Sequence, residues 1–249
     1  MLSEKPWRFE SVLKLAGGIL LGLVLGMSAG PLLQRLLPNL SGDQQQFLGF
    51  VISSLSFHGV ALVLTTQFLN EHLMSWKHFL DLNSPLLGKA LQTAFAAGVL
   101  VLPLAWTLSK VSEWLLTSMQ MEPVIQQPIR ILEKSVSPGQ RICFAVVAVG
   151  IAPVVEETLF RGILYPVIKQ KGYPRFALWS TALLFAAIHA NLLTFLPLAF
   201  LAVVLTLLYE KTDTLAAPVV THSLFNAVNF IVFIYREPLS DWLTRLLHR

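Results

Sequence analysis

The chain has 249 residues; 55% are hydrophobic and 13% carry charge, against roughly 25% charged in an ordinary soluble domain. With a mean hydropathy of +0.65, this composition excludes a soluble globular protein and describes an integral membrane protein. The net charge of +4 is scattered over short loops, which suits the headgroups of a lipid bilayer and offers no basic tract to a nucleic acid.

Apolar runs long enough for the ~20 residues of a spanning helix begin near Lys14, Phe47, Leu87, Ile142, Phe176, Leu192 and Ala216. They predict an all-α polytopic bundle of about seven transmembrane helices. Continuous apolar runs without period-2 alternation exclude an outer-membrane barrel. The first run follows Lys5 and Arg8 in the charge order of a signal peptide. It is long for such a segment and ends in a poor cleavage site, so it is read as a span. The second run holds one ionisable residue, His58, expected to be a hydrogen-bonded structural histidine. Asn70 to Leu82 mixes Met74, Trp76, Phe79 and Leu82 with charged residues, the composition of an interfacial helix.

After the third run, a polar connection from Ser109 to Arg141 ends in Ser137-Pro138, a helix-start signal. It divides the chain into a variable front part, 1–141, a rear part of about four spans, 142–235, and a C-terminal tail, 236–249. Cys143 is the one cysteine; without a CxxC partner it forms no metal site and is expected to pack as a small hydrophobe. Trp7, Trp106, Tyr209 and Tyr235 fall near span ends and fit an aromatic belt. His72, His78 and His248 lie in polar surroundings and are expected in solvent.

Between Ile142 and Val167 the charges are Glu156, Glu157 and Arg161 alone. An ionisable residue inside the bilayer marks a functional site by default. Glu157 and Arg161 are four apart and share a helical face, so they can pair. Glu156 then points about 100° away. It is the carboxylate left without an adjacent cation, and a low-dielectric site suits such a group to act as a general base. Asn229 is a further candidate for this polar face.

His189 ends the run LLFAAIH, while His222 and Asn226 are one turn apart in THSLFNAVN. If these helices pack with polar faces turned from lipid, Glu156, His189, His222 and Asn226 converge. One carboxylate, two imidazoles and one carboxamide suit the attack of water on a carbonyl: Glu156 and His189 activate the water, His222 and Asn226 donate to the oxyanion. The same residues allow a second chemistry, zinc held by His189, His222 and Glu156 or Glu157. The sequence leaves both open, although HExxH is absent. GxSxG is absent too, so a serine mechanism has no support.

EETLFRG from Glu156, FAAIH from Phe185 and HSLFN from His222 resemble the EExxxR, FxxxH and HxxxN motifs of the CPBP family. These are the CAAX-prenyl-protease and bacteriocin-processing membrane endopeptidases, also called the Abi family. The resemblance covers about Ile142 to Tyr235, in order and spacing. It implies an intramembrane endopeptidase with a cavity open to the bilayer and the same four residues in the same roles. Glu157 and Arg161 support the site in such proteins. Zinc and a metal-free mechanism are both implied, since the family carries both descriptions. The expected partner is a membrane-associated protein or peptide substrate, and the expected location a prokaryotic inner membrane. Two other classes remain: a non-catalytic scaffold regulating a partner protein, and a proton-coupled transporter. The intact motifs argue against the first; the lack of inverted repeats argues against the second.

Overall fold

The computed structural model describes the backbone of residues 2–134 and 137–247, and the side chains of these residues except 29–31, 33, 34 and 237–247. His248 and the end of the 236–249 tail lie outside the described residues. Residues 236 to 247, expected as a tail, continue the last helix.

The described residues form helices without strands. α1 is Phe9–Leu36, α2 Gly42–Glu71, α3 Trp76–Phe79 and α4 Leu87–Ser118. α5 is Gln127–Glu133, α6 Pro138–Gln170, α7 Pro174–Ile188, α8 Leu192–Thr212 and α9 Ala216–Leu247. Six of them are long and apolar enough to cross a membrane. The apolar run near Phe176 is shorter than the rest: α7 has 15 residues and spans about 22 Å, against a hydrocarbon thickness of about 30 Å.

Local chemistry sets the helix ends. Ser41 and Gln44 form a reciprocal capping box before α2. The Ser137 hydroxyl accepts from Gln140 N and Pro138 opens α6, as the sequence signal predicts. The connection expected from Ser109 is helical as far as Ser118, because α4 runs on past the apolar stretch. The interfacial segment winds only from Trp76 to Phe79, and Phe79 is buried in the bundle instead of facing headgroups.

α2 and α6 depart from regular winding. α2 carries a π-helical turn at Leu55–Gly59, and α6 carries two, Val146–Ile151 and Thr158–Leu164. Such turns recur at functional sites. Those in α6 flank Glu156 and Glu157, and the second contains Arg161.

α4, from the front part, packs against α8 and α9 of the rear part. Val101, Leu102 and Ala105 meet Leu201, Leu205 and Phe225, and Ala90 and Ala94 meet Leu208 and Ala217. α1 lies along α2 through small residues: a Cβ on Gly22 would sit 2.9 Å from Val60 Cγ1, the close approach that membrane helices obtain from small residues. This pair meets the rest at its two ends. Phe47 and Phe50 pack on Phe144, with Phe50 stacked at 4.0 Å. At the other end Trp7, Phe68, Leu69 and Phe79 join Ile163, Tyr209 and Leu215. Trp7 and Tyr209, expected in an aromatic belt, are therefore core residues, with exposures of 9% and 0%. Their rings fill the space between helices, and their polar atoms are buried with them.

Candidate active site

α6 brings both glutamates and Arg161 to the middle of the rear bundle. Glu157 and Arg161 are sealed, at 0% and 1% side-chain exposure, and pair at 2.9 Å from Arg161 Nη1 to Glu157 Oε1. A guanidinium is buried at acceptable cost only when its donors are matched. Arg161 Nη2 donates to the Ala202 carbonyl at 2.8 Å and Nε to Thr206 Oγ1 at 3.3 Å, both on α8. The Phe185 ring lies 4.8 Å from the guanidinium carbon, a cation–π contact.

Glu157 Oε1 has a second donor, His222 Nδ1 at 2.8 Å. That bond places a proton on Nδ1 and leaves Nε2 to face Glu156, whose Oε2 is 3.9 Å away. Glu156 Oε2 is buried and accepts no hydrogen bond from the described residues. The two adjacent carboxylates are thus divided. Glu157 is enclosed by Arg161 and His222; Glu156 keeps 13% exposure and a free acceptor.

His189 ends α7. Its Nδ1 bonds the Phe185 carbonyl at 2.7 Å, which leaves Nε2 for other work. The Phe185 ring contacts both imidazoles, with its centroid 5.0 Å from that of His189 and 5.7 Å from that of His222. Asn226 Nδ2 donates to the Ala148 carbonyl at 2.8 Å. The first π turn explains that bond. Ala152 N reaches back five residues to Val147 O, so the next donor in the pattern, for Ala148 O, would be residue 153. Residue 153 is proline, which has no N–H. Asn226 supplies the missing donor and keeps its second amide hydrogen.

Several expectations differ from what is seen. Asn229 ties α9 to α4, accepting from Trp106 Nε1 at 2.9 Å, and does not extend the site. His72, expected in solvent, is half-buried: Nδ1 bonds Phe68 O at 2.7 Å and Nε2 accepts from Arg8 N at 3.2 Å. His58 meets its expectation, bonding the Ser54 carbonyl at 3.0 Å as a structural histidine on the second span. The zinc set of His189, His222 and Glu156 does not assemble: among the described residues no three His, Cys, Asp or Glu side chains gather as metal ligands. The Nδ1 bonds of His222 to Glu157 and of His189 to the Phe185 carbonyl leave both Nε2 atoms free, the arrangement a metal-ligating histidine also has. Phe185, Thr206 and the Ala202 carbonyl complete the site; no sequence spacing pointed to the two groups on α8.

Residues 138–228 match the model of the family described as type II CAAX prenyl endopeptidase, Rce1-like. This stretch of the chain is similar to the Rce1-like branch of the CPBP family. The Rce1-like region contains Glu156, Glu157, Arg161, His189, His222 and Asn226. The chain is 29% identical over 105 residues to "UPF0177 protein YaiF" of Lactococcus lactis subsp. lactis (strain IL1403), covering 41% of this chain and 44% of that protein. It is 27% identical over 93 residues to "Putative membrane peptidase YdiL" of Bacillus subtilis (strain 168), 37% of each. The matched stretch spans less than half the length of either curated relative. No solved structure matches. Both relatives are bacterial, which accords with an integral protein of a prokaryotic inner membrane.

Proposed function

We propose that the chain is an intramembrane endopeptidase that hydrolyses a peptide bond in a membrane-associated protein or peptide, with water activated by Glu156. The observation that carries this reading is the division of the two glutamates. Both keep a buried Oε2 without a hydrogen bond, but Glu157 is fully enclosed and held through Oε1 by Arg161 and His222, whereas Glu156 has no such ties, keeps 13% exposure and lies beside His222 Nε2. The Rce1-like match of residues 138–228 and the printed name of the Bacillus relative support it.

The proposed chemistry uses those groups as follows. Glu156 takes a proton from water as its oxygen attacks the substrate carbonyl, and His189 Nε2 orients that water. Negative charge then develops on the carbonyl oxygen. Protonated His222, held at Nδ1 by Glu157, donates from Nε2, and the second amide hydrogen of Asn226 donates beside it. This oxyanion role requires the imidazolium form of His222; Glu156, Glu157 and Arg161 sum to one negative charge, which that second proton brings to zero. As the tetrahedral intermediate collapses, the C–N bond breaks and Glu156 returns its proton to the leaving amine.

The test compares new peptide termini across the membrane proteome of cells expressing wild type or Glu156→Gln at equal abundance. Termini present with wild type and absent with Glu156→Gln are expected, and they name the substrate. Identical profiles, with any cellular phenotype kept by Glu156→Gln, would replace the protease reading with the scaffold.

A further inference from the structure

α2 is tied to the rear bundle at its two ends and free of it between them. Phe50 stacked on Phe144 closes one end, and Phe68 packed with Ile163 closes the other. Neither Gly42–Ser54 nor the π turn Leu55–Gly59 contains a buried residue. α2 and α6 therefore run side by side in the same direction, with a gap between their middle stretches.

His58 faces that gap. It comes eight residues after Phe50 and ten before Phe68, so it shares their face of α2. Ser56 and Val60, which pack on Gly22 of α1, are two residues away on either side and point nearly half a turn round. At 1.5 Å per residue His58 lies about 12 Å along from Phe50, and Glu156 about 18 Å along from Phe144, so the two are about one turn apart in depth. The charge of Glu156 reaches the imidazole across the gap.

The bond that gives His58 its structural role uses one nitrogen. Nδ1 meets the Ser54 carbonyl at 3.0 Å, and a carbonyl only accepts, so Nδ1 carries the hydrogen. The neutral ring then presents Nε2 as an acceptor, without a hydrogen bond from the described residues. The opposite wall is equipped differently. His222 and Asn226 can donate to a carbonyl oxygen, and Glu156 is taken up with water. A peptide bond about to be cut has left its helix, and inside a bilayer its freed N–H and C=O groups both need partners. The rear wall provides for the C=O and leaves the N–H side unserved.

We propose that His58 is a substrate-binding residue: its Nε2 accepts a backbone N–H of an unwound peptide segment lying between α2 and α6, opposite the carbonyl site of His222 and Asn226. This role rests on the protease reading above for its substrate. What His58 recognises is backbone, so the substrates it favours are apolar segments that unwind easily, whatever their side chains. It also gives the front part of the chain a task in recognition although it carries none of the motifs.

The experiment uses the full chain in lipid vesicles, with His58, His58→Asn or His58→Gln, each in the Glu156→Gln background so that the probe stays whole. Asparagine keeps an amide N–H near Nδ1 for the Ser54 carbonyl and has nothing at the place of Nε2; glutamine puts its carbonyl oxygen at that place. The probe is a leucine-rich membrane-spanning peptide interrupted by a run of glycines, with a companion set in which each glycine in turn is sarcosine, which has no N–H. Binding is titrated as mole fraction in the bilayer by energy transfer. His58→Asn is expected to raise the Kd of the glycine probe about three- to tenfold, and His58→Gln to leave it within about twofold. With sarcosine at one position the penalty of His58→Asn should vanish. A merely structural histidine would give the reverse order, with asparagine harmless and glutamine costly. That order, equal Kd in all three proteins, a loss in His58→Gln as large as in His58→Asn, a penalty kept with every sarcosine probe, or no binding of the probe by the protein that retains His58 would overturn the proposal. If His58→Asn does not accumulate, His58→Leu takes its place with the same expectations and the same refutations. Binding needs no cleavage: if cells expressing wild type show no new termini, the protease reading fails alone, and the probe still decides the role of His58.

Discussion

Replacing Arg161 by methionine removes the charge and keeps most of the apolar stem, so it isolates the electrostatic part of the site. Arg161 is 1% exposed and has three hydrogen-bond acceptors: Glu157, the Ala202 carbonyl and Thr206. The Ala202 carbonyl also accepts from Thr206 Oγ1 at 2.9 Å, so it stays satisfied when Arg161 goes. The loss therefore concentrates on Glu157, left as a buried carboxylate with His222 as its remaining donor. Breaking a buried pair from one side costs about 3–5 kcal/mol, a large part of a total stability of about 5–15 kcal/mol. Arg161→Met should lower stability by that amount, measured by reversible unfolding in mixed micelles. Arg161→Met/Glu157→Gln should recover most of it, because no unpaired charge remains. A loss below about 1 kcal/mol for Arg161→Met, or a double variant less stable than that single one, would refute the argument.

Gly162→Ala should destabilise by about 1–3 kcal/mol through overlap with the Phe79 ring, and Phe79→Leu in the same chain should restore part of the loss, both read from thermal midpoints. Pro153→Ala offers Ala148 O a backbone N–H and competes with Asn226 for it; kcat should fall at constant stability, as the amide loses its anchor. Burial holds the Lys5 ammonium below its ordinary value of 10.5, against the opposing pull of Asp213 and then Asp81. The unfolded chain then binds more protons than the folded one in the alkaline window below 10.5, so stability contributed at this site rises with pH there. Wild type compared with Lys5→Met by thermal unfolding across that window should show wild type gaining; a pH-independent difference would dismiss the effect.

The sequence exposed what depends on composition and on spacing within one helix. Apolar runs predicted the bundle, Ser137-Pro138 the start of α6, and the four-residue interval the Glu157–Arg161 pair, present at 2.9 Å. What it hid depends on neighbours distant in sequence. Glu157 also holds His222 across 65 positions, and Arg161 reaches Ala202 and Thr206 on another helix. Nothing along the chain distinguishes the threonine chosen. Trp7 and Tyr209 look like rim aromatics because span-end position is all that sequence offers; their burial follows from the segment before α1 and from Phe79 entering the bundle.

Both irregular turns of α6 have a proline where the helix would otherwise close its own bonds, Pro153 after the first and Pro166 after the second. A proline in a membrane helix leaves a carbonyl without its donor, and in the absence of water the protein must supply one. At Ala148 that donor comes from another element, Asn226 of α9, while the second turn gains a bond from the segment before α1, Trp7 to the Gly162 carbonyl. In the first turn the defect that loosens the helix thus ties it to α9, and in the second the Gly162 carbonyl is tied to Trp7, on the other side of Glu156 and Glu157. A regular helix would have no free carbonyl to offer and would be fixed by apolar packing alone, which tolerates small rotations. Hydrogen bonds of 2.8 Å at both flanks tolerate them less, and the direction of the Glu156 carboxylate is the quantity they constrain.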